Sequence, residues 1–374
     1  MTRVLWVTEH YPPSQGGMAN SCDRIVRGLR GAGVEVDVAH LTRRERPWAV
    51  TREHGGRLLA APLGDDPEHA LRRLWTTLTA ERLTAAYTHV VAFGGTYSML
   101  AAPVLARLVD APLITLLRGN DIDVGVFSMR RRGVLADALR ASARVCVVAR
   151  DHMPLVTALA PDAAVTFVAN SVDTAQWRVL PSERERGRAW RAENVEPGRR
   201  TIGVIGQLKN KKGVGFFLDA LVASGHAGRF HLVLVGEVEE TVTAWLAERK
   251  DTVPHSFLPF LERYDLPAVY ASCDLAALPS FYDGMPNVAL EAAALGVPLI
   301  CSDAGGLADV ADDAIGFVFP AGDPHACREA IDRAARASDE ELAALGAAGA
   351  ERIARDFTPA AETAGYLAVL GEVR

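Results

Sequence analysis

Between Val288 and Leu295 the chain reads VALEAAAL, and Glu291 is the one charged residue in that run. Apolar residues on every side argue for a helix buried almost all round. An unpaired carboxylate in such a place costs several kcal/mol by order of magnitude, so Glu291 needs a partner. A ribose diol would bring two O–H donors to one carboxylate; an ion pair with a buried arginine, or a protonated acid, would also serve. Pro286 suits the first turn of the helix and Gly296 its end, which places it over about 286–295. Its next amides, on Asn287, Val288 and Ala289, then open the N-terminus, where a phosphate is favoured. Glu291 shares a face with Asn287 and Val288 and leans toward the same end.

A second group lies in GQLKNKKG, residues 206–213. The chain has 36 arginines but only four lysines, three of them at 209, 211 and 212. A compact ammonium on a flexible stem can reach a diphosphate from a loop, and Gly213 after Lys212 lets backbone approach closely. A solvated lysine turn is the plain alternative. A third group is YPPSQGGM (11–18), in which Gly16-Gly17 precedes a helix and again offers bare amides. It is not G-x-G-x-x-G, and no suitable acid follows the second strand, so a dinucleotide-dependent oxidoreductase gains little.

These groups need elements to hold them. RVLWVT (3–8), VEVDVAHL, THVVAF (88–93), PLITLL (112–117), ARVCVVA (143–149) and AVTFVAN (164–170) read as strands with helical stretches between them. The pattern breaks over about 170–200, where PSERERGRAWRAENVEPGRR reads as a solvated helix and linker. It resumes with TIGVIG (201–206), FHLVLVG (230–236), VPHSFL (253–258), CDLAALP (273–279), VPLICSD (297–303) and GFVF (316–319). Short apolar strands alternating with helices imply parallel sheets covered on both faces. The expected fold class is α/β: two Rossmann-like domains, their parallel sheets facing across a central cleft. Ligands of such sheets bind at the carboxyl ends of the strands, where all three groups fall.

Composition narrows the function. Of the 374 residues 49% are hydrophobic and 23% charged, and the net charge is −6, which speaks against a nucleic-acid partner. Residues 1–174 carry +3 and residues 175–374 carry −9, a weak asymmetry. The five cysteines form no C-x-x-C pair and read as buried free thiols of a reducing compartment. No apolar run reaches the roughly 18–20 residues of a membrane span, and the first residues read as a strand rather than a signal peptide. A cytoplasmic protein is expected. The cluster MRRRG (129–133) could dock an anionic lipid or polymer, but without a basic amphipathic helix a membrane contact is not favoured.

The order of these motifs resembles a retaining glycosyltransferase of family 4, with the GT-B fold, over almost the whole chain. PPSQGG, RGND (118–121), NSVD (170–173), GQLKNKKG and HLVLVGE (231–237) carry the resemblance. So does the block from Leu266 to Val310, whose Asp283-x7-Glu291 matches the family's E-x7-E element. The resemblance implies an acceptor-side domain at 1–174, a nucleotide-sugar domain at 175–356, and a C-terminal helix at 357–374 that crosses back to the first domain. It implies that Glu291 holds the ribose and that Asp283, Gly284, Met285, Pro286 and Asn287 meet the donor sugar. Lys212, Gln207, Gly16, Gly17, Asn287 and Val288 would hold the diphosphate, and backbone near Phe257 and Leu258 the base. Thr96, Asn120, Asp121 and His10 are expected acceptor contacts.

Three departures qualify the match. The family usually has Glu where Asp283 stands, Arg where Gln207 stands, and often His where Arg118 stands. A cation has thus moved from 207 to 118. Arg118 is expected either to reach phosphate or an anionic acceptor, and so to act in catalysis with Asp283 and Lys212, or to pair with Asp121 or Asp123. The reaction implied is sugar transfer from a nucleotide-diphosphate-sugar to an acceptor, expected to be small and soluble, by same-face displacement. A leaving phosphate oxygen can take the acceptor's proton, so neither a metal nor another cofactor is called for. A non-catalytic nucleotide-sugar-binding relative and a GT-B sugar-nucleotide epimerase remain open.

Overall fold

The computed structural model describes residues 2–44, 47–80 and 87–373. The chain divides into two compact units, Met1–Asn170 with Pro359–Arg374, and Ser171–Thr358. The division falls between Asn170 and Ser171 rather than at 174/175, and the returning segment starts at Pro359 rather than 357. Met1 and Arg374, the outer ends of the expected spans, lie outside the described residues.

Unit 1 is built on strands β1 (Arg3–Thr8), β2 (Glu35–Thr42), β3 (Ala49–Glu53), β4 (Gly56–Pro62), β5 (His89–Phe93), β6 (Leu113–Leu117), β7 (Ser142–Val147) and β8 (Val165–Phe167). They pair in the order β3-β4-β2-β1-β5-β6-β7-β8. All neighbours are parallel except β3 and β4, an antiparallel hairpin turned at Gly55 with φ 73°. The sequence reading passed over this hairpin, although His54-Gly55-Gly56 between two apolar runs is its signal. Alternate residues of β1 enter opposite cores: Val4 and Trp6 pack with Ile25, Val26 and Leu29, while Leu5 and Val7 pack with Leu59, Leu74 and Ala102. The first of these cores is completed by Tyr366, Val369 and Leu370 from helix Pro359–Glu372. An Arg24–Glu362 ion pair of 2.6 Å ties the same helix to helix Gly17–Gly31.

Unit 2 contains β9 (Arg200–Ile205), β10 (Phe230–Val235), β11 (His255–Leu258), β12 (Leu275–Leu278), β13 (Leu299–Ser302) and β14 (Gly316–Phe319), all parallel, in the order β11-β10-β9-β12-β13-β14. Ile202, Val204, Leu232 and Leu234 pack on one face with Phe217, Leu218 and Ile331. Val233 and Val235 face the other way, onto Val269 and Trp190. Trp190 comes from helix Pro181–Asn194, the segment expected as a solvated helix; Pro181 starts it and the Glu183 carboxylate accepts the Leu180 N–H at 2.7 Å. The loops after β9, β12 and β13 leave the same edge of this sheet.

Candidate functional site

Helix Asn287–Ala294 starts one residue later than its sequence suggests, with Pro286 as the extended residue before it (φ −68°, ψ 128°). The Ala289 amide, expected to be open, donates to the Pro286 carbonyl at 3.1 Å. Glu291 is 7% exposed. Its Oε1 lies 3.5 Å from Nε of Arg263, and the Arg263 guanidinium stacks 5.1 Å over the Trp177 ring. Trp177 in turn donates its indole N–H to the Glu291 carbonyl at 2.9 Å and meets Tyr270 edge-on. The fully buried Tyr270 hydroxyl has no hydrogen-bond partner among the described residues, and burial followed by the Glu291 charge raises its pKa well above the usual phenol range. Of the partners possible for Glu291, an arginine is therefore present. Sequence reasoning missed Arg263 because it sits on a single 3-10 turn, Arg263–Asp265, where no periodicity marks a face.

The lysine loop and the acidic loop are locked together within unit 2. The Lys212 ammonium is ion-paired with the Asp283 carboxylate. The Phe281 N–H donates to the Lys211 carbonyl at 2.9 Å. Gly213 has φ 64°, and a β-carbon there would overlap the Pro279 carbonyl oxygen. On the other side, the Gly306 N–H donates to the Gly284 carbonyl at 2.6 Å, and the Ser302 hydroxyl donates to the Ser280 carbonyl at 2.6 Å. Gly305-Gly306 is a second signal the sequence reading passed over: a Gly pair after β13 that lets two backbones touch. Gly284, Met285 and Pro286 are buried, and Asn287 and Val288 half-buried. Gln207 is exposed on the first turn of the lysine loop. Phe257 is 45% exposed at the end of the edge strand β11, and the Leu258 carbonyl accepts the Gly236 N–H at 3.1 Å. Asp283, Lys212, Arg263 and Glu291 thus all lie in unit 2, on elements that follow β9, β11 and β12.

Unit 1 holds the remaining expected residues. Gly16, with φ 103°, precedes helix Gly17–Gly31 and its carbonyl accepts the Asn20 N–H. Glu9 caps helix Thr96–Val109 by accepting the Tyr97 N–H at 2.6 Å, and burial raises its carboxyl pKa. Burial, then the nearby Arg43 charge, lowers the pKa of His10. Asn120 is exposed; Asp121 accepts the backbone N–H groups of Arg118 and Gly119, and burial still raises its pKa.

Arg118 pairs its side chain with neither Asp121 nor Asp123, contrary to one of its two expected roles. Its side chain is buried, donates to the Tyr366 hydroxyl at 2.9 Å and to the Asn170 side-chain oxygen, and lies over the Phe93 ring. Only its backbone meets Asp121, while Asp123 pairs with His152 at 2.9 Å. The rigid guanidinium fork fits the amide and phenol that Asn170 and helix Pro359–Glu372 present. Among the described residues no three His, Cys, Asp or Glu side chains gather as metal ligands, and no helix is long and apolar enough to cross a membrane.

Residues 199–337, all in unit 2, match the family described as Glycosyl transferases group 1. The lipopolysaccharide core biosynthesis mannosyltransferase LpsB of Rhizobium meliloti is 27% identical over 231 residues, 57% of this chain and 62% of that one. The chain therefore matches less than two thirds of that relative's length. The glycogen synthase of Mycobacterium tuberculosis is 28% identical over 350 residues, 82% of this chain and 79% of the relative. Among solved structures, sucrose-phosphate synthase from Thermosynechococcus elongatus superposes with a TM-score of 0.83 at 18% identity, covering 100% of this chain and 99% of that one. Anabaena HepE, solved in complex with UDP-glucose, gives 0.79 at 16% identity, with 100% of both chains covered. The chain has the GT-B fold, and the family match is confined to residues 199–337.

Proposed function

We propose that this protein is a retaining glycosyltransferase of family 4 that moves a sugar from a nucleotide-diphosphate-sugar to a hydroxyl acceptor without a metal. The observation that carries the reading is the Lys212–Asp283 pair, together with a buried Glu291, on elements that follow β9 and β12 of one parallel sheet. In the donor complex Glu291 takes the ribose diol and Arg263 turns aside. The diphosphate takes Lys212 from Asp283, and Asp283 turns to the sugar hydroxyls. Breaking the glycosidic phosphate bond builds positive charge on the sugar and negative charge on the departing diphosphate. A preorganised ammonium and a helix N-terminus aimed at that negative charge lower the barrier. A leaving phosphate oxygen accepts the acceptor's proton on the same face, so the anomeric configuration is kept.

Arg118 is assigned a positioning part: its partners fix the loop 118–121 in unit 1. On the sequence, which carries no strong basic amphipathic helix, the acceptor is proposed to be a small soluble molecule.

The test is to incubate the protein with UDP-, GDP-, ADP- and dTDP-sugars, with chelator and without, and to measure free nucleoside diphosphate and the anomer of the product. Slow diphosphate release, unchanged by chelator, with retained configuration supports the reading. No release from any donor overturns it in favour of a binding protein, and interconverted free sugars point to an epimerase.

A further inference from the structure

The arginine run 130–132 is the sequence motif that the donor chemistry leaves unused. In unit 1 the chain leaves the short helix Asn120–Asp123, passes through a 3-10 turn at Gly125–Phe127, and enters helix Arg131–Ala141. Two large apolar side chains stand in solvent on this turn, Phe127 at 87% exposure and Met129 at 101%. Single exposed apolar residues are ordinary. Two of them within three positions, followed at once by three arginines, are a different pattern. Arg130, Arg131 and Arg132 are all exposed, and among the described residues none forms a salt bridge, although the Arg131 charge reaches the Glu9 carboxylate. No acid occurs from Val124 to Ala136, so nothing within the turn neutralises them. Helix Thr96–Val109, which packs against Arg131–Ala141, exposes Leu100 and Val104 and adds apolar surface to the same unit.

An occupant must therefore offer an apolar phase to Phe127 and Met129 and fixed negative charge to residues one to five positions away. A soluble polyanion offers only the second. An anionic bilayer offers both, at a depth difference that arginine stems bridge readily. We propose that this turn docks on an anionic membrane surface, with Phe127 and Met129 entering the headgroup–acyl boundary and Arg130, Arg131 and Arg132 on lipid phosphates. The inference does not depend on the donor site in unit 2. Where both hold, the acceptor is presented at a lipid surface rather than free in solution.

The experiment is co-sedimentation of the full chain with phosphatidylcholine vesicles, and with vesicles in which about one lipid in three is phosphatidylglycerol. Binding is expected to the anionic vesicles alone and to weaken as salt is raised. Replacing all three arginines by glutamine lowers partitioning about 100-fold, at roughly fivefold per arginine. Phe127→Ser with Met129→Ser lowers it at least about tenfold while the salt dependence stays. A Phe127→Trp variant, which keeps the turn intact, shifts its emission to the blue with anionic vesicles. Absence of sedimentation, an unshifted tryptophan, or wild-type binding by the serine variant overturns the proposal. Equal competition by polyglutamate would instead assign the arginines to an acidic macromolecule and overturn it as well.

Discussion

The Lys212 ammonium and the Asp283 carboxylate, 71 residues apart in sequence, are ion-paired in the loops that follow β9 and β12. On the proposed reading, each holds a group that the donor claims when it binds. Lys212→Met is expected to cost ~10²–10³ in kcat, the scale for losing one donor aimed at developing charge, and to weaken nucleoside diphosphate binding. Asp283→Asn is expected to lower turnover while leaving nucleoside diphosphate affinity near wild type. The Asp283 side chain is only 13% exposed, so Lys212→Met, which takes away its cation, should also cost stability. Steady-state kinetics with calorimetric titration of UDP and GDP separates the two effects.

Arg263 stacks on Trp177 and faces Glu291. If the ribose diol takes over from this arginine, Arg263→Met should lower the melting temperature of the free protein more than that of the nucleotide-saturated protein. Glu291→Gln should weaken nucleotide binding in either case. Thermal melts with and without ligand read both. Equal losses in the two states would mean that Arg263 stays on Glu291 when nucleotide is bound.

Gly213 brings the lysine loop, and Gly306 the loop after β13, into backbone contact with the acidic loop. Gly213→Ala puts a β-carbon into the Pro279 carbonyl at a positive φ, and Gly306→Ala meets the Gly284 carbonyl. Each is expected to destabilise by more than about 1 kcal/mol and to raise the donor KM, Gly213→Ala by parting the lysine loop from the acidic loop and Gly306→Ala by displacing the acidic loop that carries Asp283. Gly215→Ala, in open space on the next helix, is the control.

The buried Arg118 bonds Tyr366 and Asn170. Tyr366→Phe leaves one guanidinium N–H without its acceptor and is expected to cost about 1–3 kcal/mol of stability in denaturant unfolding. Donor KM should not change. A donor KM that rises in Tyr366→Phe and in Arg118→Met alike would instead place Arg118 on the diphosphate.

His152, nearly fully buried, contacts Asp123 at 2.9 Å. Burial lowers its pKa, but the hydrogen bond and charge of Asp123, with Asp151 and Asp121 behind it, outweigh burial and raise it above 6.5. A histidine pKa raised on folding stabilises fully below the unfolded value and loses that contribution as pH rises through the folded value. Thermal stability should therefore fall as pH passes upward through the folded His152 midpoint, and Asp123→Asn should abolish that slope. An NMR titration of the His152 ring reads the midpoint directly.

Much of this was legible in sequence because the informative signals are local. Runs such as LITLL and FHLVLV are apolar but for Thr115 and His231 and become strands buried on both faces. The lone acid of VALEAAAL and the clustered lysines mark the site by contrast with their neighbours. The hairpin at Gly55 was marked too, by a Gly pair the reading did not weigh. Arg263 was not legible, since its pairing with Glu291 follows from a 3-10 turn and a tryptophan some ninety positions upstream (on the order of a whole subdomain of chain). The fate of Arg118 was hidden for the same reason: Tyr366 comes from the far end of the chain, 248 residues on. Long-range partners of arginine leave no trace in spacing.

The central claim is that the Glu291 carboxylate is kept for a nucleotide's ribose. A crystal structure with bound nucleoside diphosphate tests it most directly. The ribose hydroxyls should lie on Glu291 and the diphosphate on Lys212, with Arg263 displaced. A nucleotide bound elsewhere, with Arg263 still against Glu291 and Lys212 still on Asp283, would contradict it.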